Sequence, residues 1–397
     1  MDGLTVRAER LVAGGDALAR LDDGRVAFVP GALPGELVRA SLAEDRGDYV
    51  RLSLGSVVEP SPSRVEPACP SVAAGCGGCT LQHLERGAHL AAKAEIVREA
   101  LVRTGRLGDV PLRSVEGDAG PRTTVRMAVL PDGRLGFRRR SSNDAVVPGS
   151  CMAAHPLIDG MLPSLRASGA EEATIRCSIS TGARAIWLHD AKGRDARKAG
   201  VSGEPEDVVV DPRASVVERV AGVDLRASMR SFFQSSARAA ELLVAEVRAA
   251  AGDEAASGAL GDVVDLYGGI GLFSATVAGP RARTRVVESN PAACADARHN
   301  LRDRDAGVVA AQVEQWEPRP AGLVIADPSR TGLGRRGAAV VAAVRAPRVV
   351  LVSCDPVAGA RDLRMLVDAG YVLDGVAVLD LFPWTHHVET VARLSLG

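Results

Sequence analysis

The sequence predicts an α/β protein with a doubly wound, Rossmann-like sheet at its C-terminal end, a small OB-like β-barrel at its N-terminal end and an α+β segment between them. Three observations predict it. From residue 230 onward apolar strand-like runs alternate with helical stretches, residues 4–58 alternate short apolar runs with turn residues, and 397 residues exceed one ordinary domain. The expected divisions are a barrel over 1–60, a central α+β domain over 61–229 and a Rossmann-like domain over 230–397.

In the first segment, runs such as RVAFV are separated by AGGD, DDGR and PGALPGE, the punctuation of a small antiparallel barrel. EPSPSRVEPACP reads as a Pro- and Ser-rich linker that runs into a group of cysteines. A helix is expected near 87–104, followed by strand-like TTVRMAVL, RLGFRRR, ATIRCSIS and RAIWLHD. In the last segment VVDLY, TRVVES, GLVIAD and RVVLVSC each precede a helical stretch, and YVLDGVAVLDLF and HVETVARLSL close the sheet.

The formal net charge of -1 gives no global basic signature, so any grip on nucleic acid rests on local patches. Of the 48 basic residues 45 are arginines, whose planar forks suit phosphate, although a genomic codon bias gives the same count. Arg138-Arg139-Arg140 is the best candidate patch, and Arg25, Arg39 and Arg51 offer others on the barrel; solvated charged loops are an equal reading. The first ten residues are charged rather than apolar, and no run approaches the ~20 apolar residues of a membrane span. The expectation is a cytoplasmic protein with no membrane association and no obligate protein partner.

VVDLYGGIGLF places Gly268, Gly269 and Gly271 between a buried strand and a helix, where bare backbone can approach a nucleotide. One strand later Glu288 stands at a carboxyl end, where its carboxylate can accept from both ribose hydroxyls. GGIG lacks the full G-x-G-x-x-G spacing of a dinucleotide site, which favours S-adenosylmethionine, a nucleoside without phosphates to cradle. The plainer alternative is that Glu288 caps the helix beginning near Pro291.

Asp327 in IADPSR, Cys354 in VSCDP and Glu389 in HHVET also fall at strand carboxyl edges, the edge along which open α/β sheets bind ligands. A thiolate there has a use. Carbon 5 of uracil is a weak nucleophile until a thiolate adds at carbon 6, and a base must later remove the carbon-5 proton. The competing reading of Cys354 is a buried structural thiol.

Cys69, Cys76 and Cys79 form C-x6-C-x2-C in a Gly-rich loop, and Cys151 follows in PGSCMAAHP. Four thiols accept either structural zinc or a [4Fe-4S] cluster, and their chemistry leaves the two open. With a fourth thiol available and a separate domain for the methyl donor, a radical role is not indicated, and the site reads as structural or RNA-positioning. Cys177 and Cys294 have no partner by spacing, and His83 and His155 read as hydrogen-bonded side chains rather than ligands.

FFQSS, DLYGGIGLF, DPSRTGL, SCDPVAGARDL and HHVETVARL occur in that order and resemble the RNA (uracil-5-)-methyltransferase family over essentially the whole chain. GGDALARLDDGRVAFVPGALPGE resembles the TRAM module, a barrel that grips RNA. The resemblance implies a class I S-adenosylmethionine methyltransferase fold and formation of 5-methyluridine in ribosomal or transfer RNA. It implies that Gln234, Tyr267, Glu288 and Asp327 bind the cofactor or hold the base, with Asp327 alternatively orienting the uracil. It further implies that Cys354 is the nucleophile, Glu389 the base, and Cys69, Cys76, Cys79 and Cys151 the ligands of a [4Fe-4S] cluster.

This chain departs from the family pattern at Ser329, Asp355 and Gly268. Asp355, beside the nucleophile, is expected to raise the thiol's pKa. A second reading is an RNA-binding iron-sulfur protein of the same fold that no longer turns over. Retention of Cys354, Asp327 and Glu389 together favours the enzyme.

Overall fold

The computed structural model describes residues 3–140 and 142–397; Met1 and Asp2 of the expected barrel segment, and Ser141, lie outside the described residues. Strands β1 (Leu4–Leu11), β2 (Ala17–Arg20), β3 (Val26–Val29), β4 (Leu37–Asp45) and β5 (Tyr49–Glu59) close a barrel in the order β1-β2-β3-β5-β4. Alternation sends Val6, Ala8, Val38, Ala40, Val50 and Leu52 inward as its core. The barrel is mixed rather than antiparallel, because β5 returns from the long β4–β5 hairpin to lie parallel to β3.

The expected linker is pinned down. Arg64 donates to both oxygens of the fully buried Glu36, at 2.5 and 2.7 Å, and to the Gly31 carbonyl, while Ser61 N donates to the same carboxylate. A buried carboxylate that needs these donors holds the Pro-rich segment on the barrel wall.

After a short helix α1 (Pro70–Ala73) come α2 (His89–Arg103) and β6 (Leu112–Val115). The expected division at 229/230 does not hold for these two elements. β6 pairs in parallel with a late strand of the C-terminal sheet, and Ala94, Val97, Ala100 and Leu101 of α2 pack into that sheet's core. The apolar stripe of α2 needs a sheet to cover it, and that sheet is formed by residues far along the chain.

The central domain is the segment between. β7 (Thr124–Val129), β8 (Leu135–Arg138), β9 (Ala145–Val146), β11 (Glu172–Cys177), β12 (Arg184–His189) and β14 (Val208–Val210) form one sheet in the order β14-β12-β11-β7-β8-β9. A helical turn α3 (Pro156–Asp159) packs on it, and β10 (Arg166–Ser168) pairs with β13 (Gly200–Ser202) beside it. The hairpin β15 (Ser215–Val220) and β16 (Val223–Ser228) buries Val216, Val220, Leu225 and Ala227 in the C-terminal core, again ahead of the expected boundary.

The last segment runs α4 (Ala237–Ala251), α5 (Asp253–Ser257), β17 (Val263–Leu266), α6 (Leu272–Thr276), β18 (Thr284–Glu288), α7 (Pro291–Asn300) and β19 (Ala306–Ala310). It continues with β20 (Leu323–Ala326), α8 (Gly334–Val344), β21 (Arg348–Ser353), α9 (Pro356–Asp368), β22 (Tyr371–Leu379) and β23 (Glu389–Leu396). The eight-stranded sheet is ordered β19-β18-β17-β20-β21-β23-β22-β6, parallel except where β23 runs against its neighbours. Strand order reverses at β17, which opens the crevice at its carboxyl edge. Among the described residues no helix is long and apolar enough to cross a membrane.

The arginine run is largely spoken for. Arg138 pairs with Glu172, and Arg140 pairs with Asp16 of the barrel at 2.5 Å, so the second ties two domains together. On the barrel Arg25 pairs with Asp23 and Asp45, and Arg51 of β5 with Asp16 of the β1–β2 turn, whereas Arg39 forms no ion pair among the described residues. Paired guanidiniums offer less charge to a phosphate than the bare sequence suggests.

Candidate active site

A cleft of about 700 Å³ opens at the sheet's carboxyl edge and is lined by Gln234, Tyr267, Glu288, Asp327, Cys354 and Glu389. All six residues expected at the nucleotide and reacting centre thus face one space, drawn from the ends of β17, β18, β20, β21 and β23 and the segment before α4. A larger, shallower depression of about 1170 Å³ on the central domain carries none of this chemistry.

At one end of the cleft Glu288 is held by backbone donors. Its Oε2 accepts from Gly269 N at 3.0 Å and its Oε1 from Asn290 N at 2.6 Å, so the carboxylate is fixed against the glycine loop. The helix-capping alternative fails, because Asn290 caps α7 with its own side chain onto Ala292 N and Ala293 N. Beneath the loop the buried Asp265 accepts from Ser274 N and Oγ; burial and the nearby Glu288 push its pKa up to about 6.

Gly268 fits this floor because a Cβ there would stand 2.7 Å from Val286 and 3.0 Å from Asp265. The departure from the family pattern at 268 is therefore accommodated by close packing. Tyr267 takes a left-handed φ of 56°, uncommon without glycine, and its hydroxyl donates to Glu314 at 2.7 Å. Burial first, then Glu314, pushes that phenol's pKa well up.

At the reacting end Cys354 follows β21, and its thiol is pushed up to about 12 by burial, then by Glu389 and Asp327, with Arg330 pulling it down. The expectation for Asp355 is overturned: its Oδ1 turns away to accept from Val357 N and Ala358 N as the cap of α9. Asp327 is pushed up to about 7 by burial and then by Asp265, and Glu389 well above the usual carboxylate range by burial and then by Asp327. Glu389 is 3% exposed and its Oε1 has no hydrogen-bond partner. Two carboxyls in one dry site resist losing both protons.

His387 lines the cleft whereas His386 turns to Thr80, and burial holds both rings neutral, at about 3 and about 4. Several lining groups escaped the sequence reading. Phe232 stands 69% exposed at the cleft, and Arg330 and Glu314 also line it. Arg330 could have been found from its place two residues after Pro328; Glu314 had no signal beyond following a strand end.

Cys69, Cys76, Cys79 and Cys151 line a second, enclosed cavity with Gln82, Arg122, Val72, Phe137 and Met152. The thiols of Cys76, Cys79 and Cys151 are pushed up by burial first and then by neighbouring thiols, Cys69 for Cys76, Cys151 and Cys76 for Cys79, and Cys76 for Cys151, with Arg122 opposing. Among the described residues no three His, Cys, Asp or Glu side chains stand close enough to hold a single metal ion. Four thiols face one space, and the buried amide nitrogen of Gln82 points from its wall without a partner.

Cys177 is buried in the central core, and the Cys294 thiol donates to the Glu288 carbonyl at 3.1 Å, so both are packing residues. His155 accepts from Leu157 N, as expected of a hydrogen-bonded ring, whereas His83 Nε2 is buried without a partner.

A crevice at the reversal of a doubly wound sheet, a carboxylate one strand beyond a glycine loop and a thiol among carboxyls define an S-adenosylmethionine methyltransferase fold. Residues 319–395 match the family model of tRNA (Uracil-5-)-methyltransferase, and residues 4–51 match the TRAM domain. A relative from Streptomyces avermitilis, described as an uncharacterized RNA methyltransferase, is 33% identical over 96% of this chain and 95% of its own. A relative from Bifidobacterium longum with the same description is 33% identical over 98% of this chain and 96% of its own.

The solved Pyrococcus abyssi tRNA (uracil-54, C5)-methyltransferase, in complex with S-adenosyl-L-homocysteine, has the same fold. It superposes with a TM-score of 0.72 at 23% identity, covering 98% of this chain and all of that one. The chain belongs to the RNA (uracil-5-)-methyltransferase family and is an RNA methyltransferase.

Proposed function

We propose that the protein forms 5-methyluridine in ribosomal or transfer RNA through a covalent bond between Cys354 and the target uracil. The observation that carries this is the meeting of the Cys354 thiol with two proton-retaining carboxyls, Asp327 and Glu389, in the cleft that also holds Glu288. A methyl transfer to oxygen or nitrogen needs no thiol there.

In the reaction the Cys354 proton passes to the ionised member of the Asp327–Glu389 pair and on to water. The sulfur's electron pair forms the Sγ–C6 bond, and the C5–C6 π electrons move onto the uracil as an enolate. Carbon 5 then takes the methyl group of S-adenosylmethionine, whose sulfur keeps the electrons of the broken bond and leaves as the neutral thioether. Glu389, ionised once its own proton has left through Asp327 to water, takes the carbon-5 proton, the C–H electrons re-form the C5–C6 double bond, and the Sγ–C6 pair returns to sulfur.

Gln234, Tyr267 and Glu288 hold the methyl donor, with Glu288 on the ribose hydroxyls, and Asp327 borders both donor and base. Arg330 favours the thiolate and faces the developing oxyanion. Cys69, Cys76, Cys79 and Cys151 would be the ligands of a [4Fe-4S] cluster, a reading that rests on the four cysteines lining one cavity. These cysteines would tie the cysteine loop to the central domain through such a group, with Gln82 and Arg122 as the N–H donors lining the cavity.

The order of steps gives the test. Glu389→Gln, incubated with RNA from cells lacking the gene and a radioactive methyl donor, accumulates a labelled RNA–protein band on a denaturing gel. The band disappears in the double variant with Cys354→Ala. Normal turnover by Glu389→Gln, or an adduct that survives loss of Cys354, overturns the assignment.

A further inference from the structure

We propose that the buried ion pair between Lys93 and Asp380 is a positioning device that aims Glu389 at carbon 5 of the target uracil by fixing the loop 380–388. This rests on the reading of Glu389 as the base.

Lys93 lies on α2 with no exposed surface, among the apolar Ala94, Ile96 and Val97. Its Nζ donates to Asp380 Oδ1 at 2.5 Å and to the Phe382 carbonyl at 3.1 Å. Arg86 donates to the other oxygen of Asp380. Burial pushes the Lys93 ammonium down to about 8 against the pull of Asp380. An ammonium without exposure is a poor way to fill volume, since an apolar side chain of that length covers the same area without the desolvation cost. What it adds is direction: one nitrogen fixes a carboxylate and a backbone carbonyl two residues apart.

Asp380 follows the last residue of β22, and Glu389 opens β23, so the loop is the whole connection between the two strands. Its middle is tied down as well. Trp384, in a left-handed conformation with φ 66°, accepts from Leu81 N at 2.9 Å through its carbonyl, and its ring meets the edge of His89 on α2. His386 N donates to Thr80 Oγ1 at 3.0 Å, and the ring's Nδ1 lies at 3.0 Å from the same hydroxyl. Gly15 of the barrel, with φ +80°, lets this ring approach, for a Cβ there would stand 2.6 Å from His386 Cβ.

The loop therefore touches the barrel, the cysteine segment and α2, while Phe382 and His387 of the same loop line the cleft. Glu389 itself receives no such help. With Oε1 unpartnered, its carboxyl is aimed by the backbone that carries it, which pairs with Leu379 of β22 at the point where the chain leaves the loop, so the loop sets how that first ladder residue enters the sheet.

The test separates aiming from stability by asking which step slows. Lys93→Met and Asp380→Asn are compared with wild type in a single turnover with radioactive S-adenosylmethionine and RNA from cells lacking the gene. The expected result is methyl transfer into the covalent adduct within about twofold of wild type, release of methylated RNA slowed at least about tenfold, and donor affinity unchanged. Asp380→Asn keeps volume and polarity, and it decides the matter alone if Lys93→Met does not fold. An adduct resolved at the wild-type rate in Asp380→Asn, or both steps slowed in proportion with loss of donor binding, overturns the proposal. Glu389→Gln run beside them isolates the underlying reading: if it accumulates adduct and Asp380→Asn does not, the base stands and the positioning role falls. If Glu389→Gln accumulates none, both fall.

Discussion

The molecule contains two thiol sites that differ in their company rather than in their thiols. Burial raises Cys76, Cys79 and Cys151 in one and Cys354 in the other, but the first cavity surrounds its thiols with one another and Arg122, whereas Cys354 shares its cleft with Asp327 and Glu389. Soft donors with N–H groups around them suit holding an electron-rich group in place. A thiol beside proton-retaining carboxyls suits making and breaking a bond, because the protons that must move have somewhere to go. What distinguishes binding from chemistry here is the neighbouring acid, and that can be broken at either site.

The largest effect is expected at the reacting thiol. Cys354→Ala should lower methylation by at least about 10⁴-fold, read as labelled methyl incorporated into RNA, and leave the iron content untouched. The converse variant, Cys76→Ser, should leave the protein colourless with at least about tenfold less iron and sulfide. Its Cys354 should still react with an electrophile as in wild type. One zinc per chain in the wild-type protein, or full iron in Cys76→Ser, would collapse the contrast.

A smaller effect sharpens the cofactor end. Glu288→Ala should weaken S-adenosylmethionine binding by about ten- to a hundredfold, the worth of about 1.5–3 kcal/mol for hydrogen bonds to a charged group. RNA affinity should stay within about twofold, and calorimetry on each ligand separately is the check.

The last effect is on stability rather than on catalysis or binding. Asp327 is raised from 3.8 to about 7, so the folded state holds its proton more tightly than the unfolded one. That contribution is fully present below about 3.8 and is lost as pH rises through about 7. Asp327→Asn cannot ionise and should gain stability over wild type at pH 8 relative to pH 4. The upper bound is about 4 kcal/mol at about 1.4 kcal/mol per unit, measured as the change in unfolding midpoint at the two pH values. An equal difference at both would show that the carboxyl ionises in the folded protein as it does in water.

Much of this was legible in the chain itself. Glu288 and the residues 267–271 announce themselves through strand–glycine–helix order, and Cys354 through its place at a strand's carboxyl end, because these are local patterns of period and punctuation; Glu389, expected at a carboxyl edge, instead opens the antiparallel β23 and meets the same side of the sheet from its amino end. The barrel was legible from its turns, though not its parallel β3–β5 pair, since pairing partners lie apart in sequence.

What only the tertiary structure decided is how separated residues meet. It moved α2 and β6 into the C-terminal sheet, turned Asp355 away from the thiol and tied Arg140 to Asp16. It also brought Lys93 to Asp380 across nearly three hundred residues, inside a helix whose sequence shows a lysine like any other. The sequence determines which chemical groups are available and which strand ends carry them. Their pKa values and aim depend on burial and on neighbours supplied by other elements, and those exist only once the chain has packed.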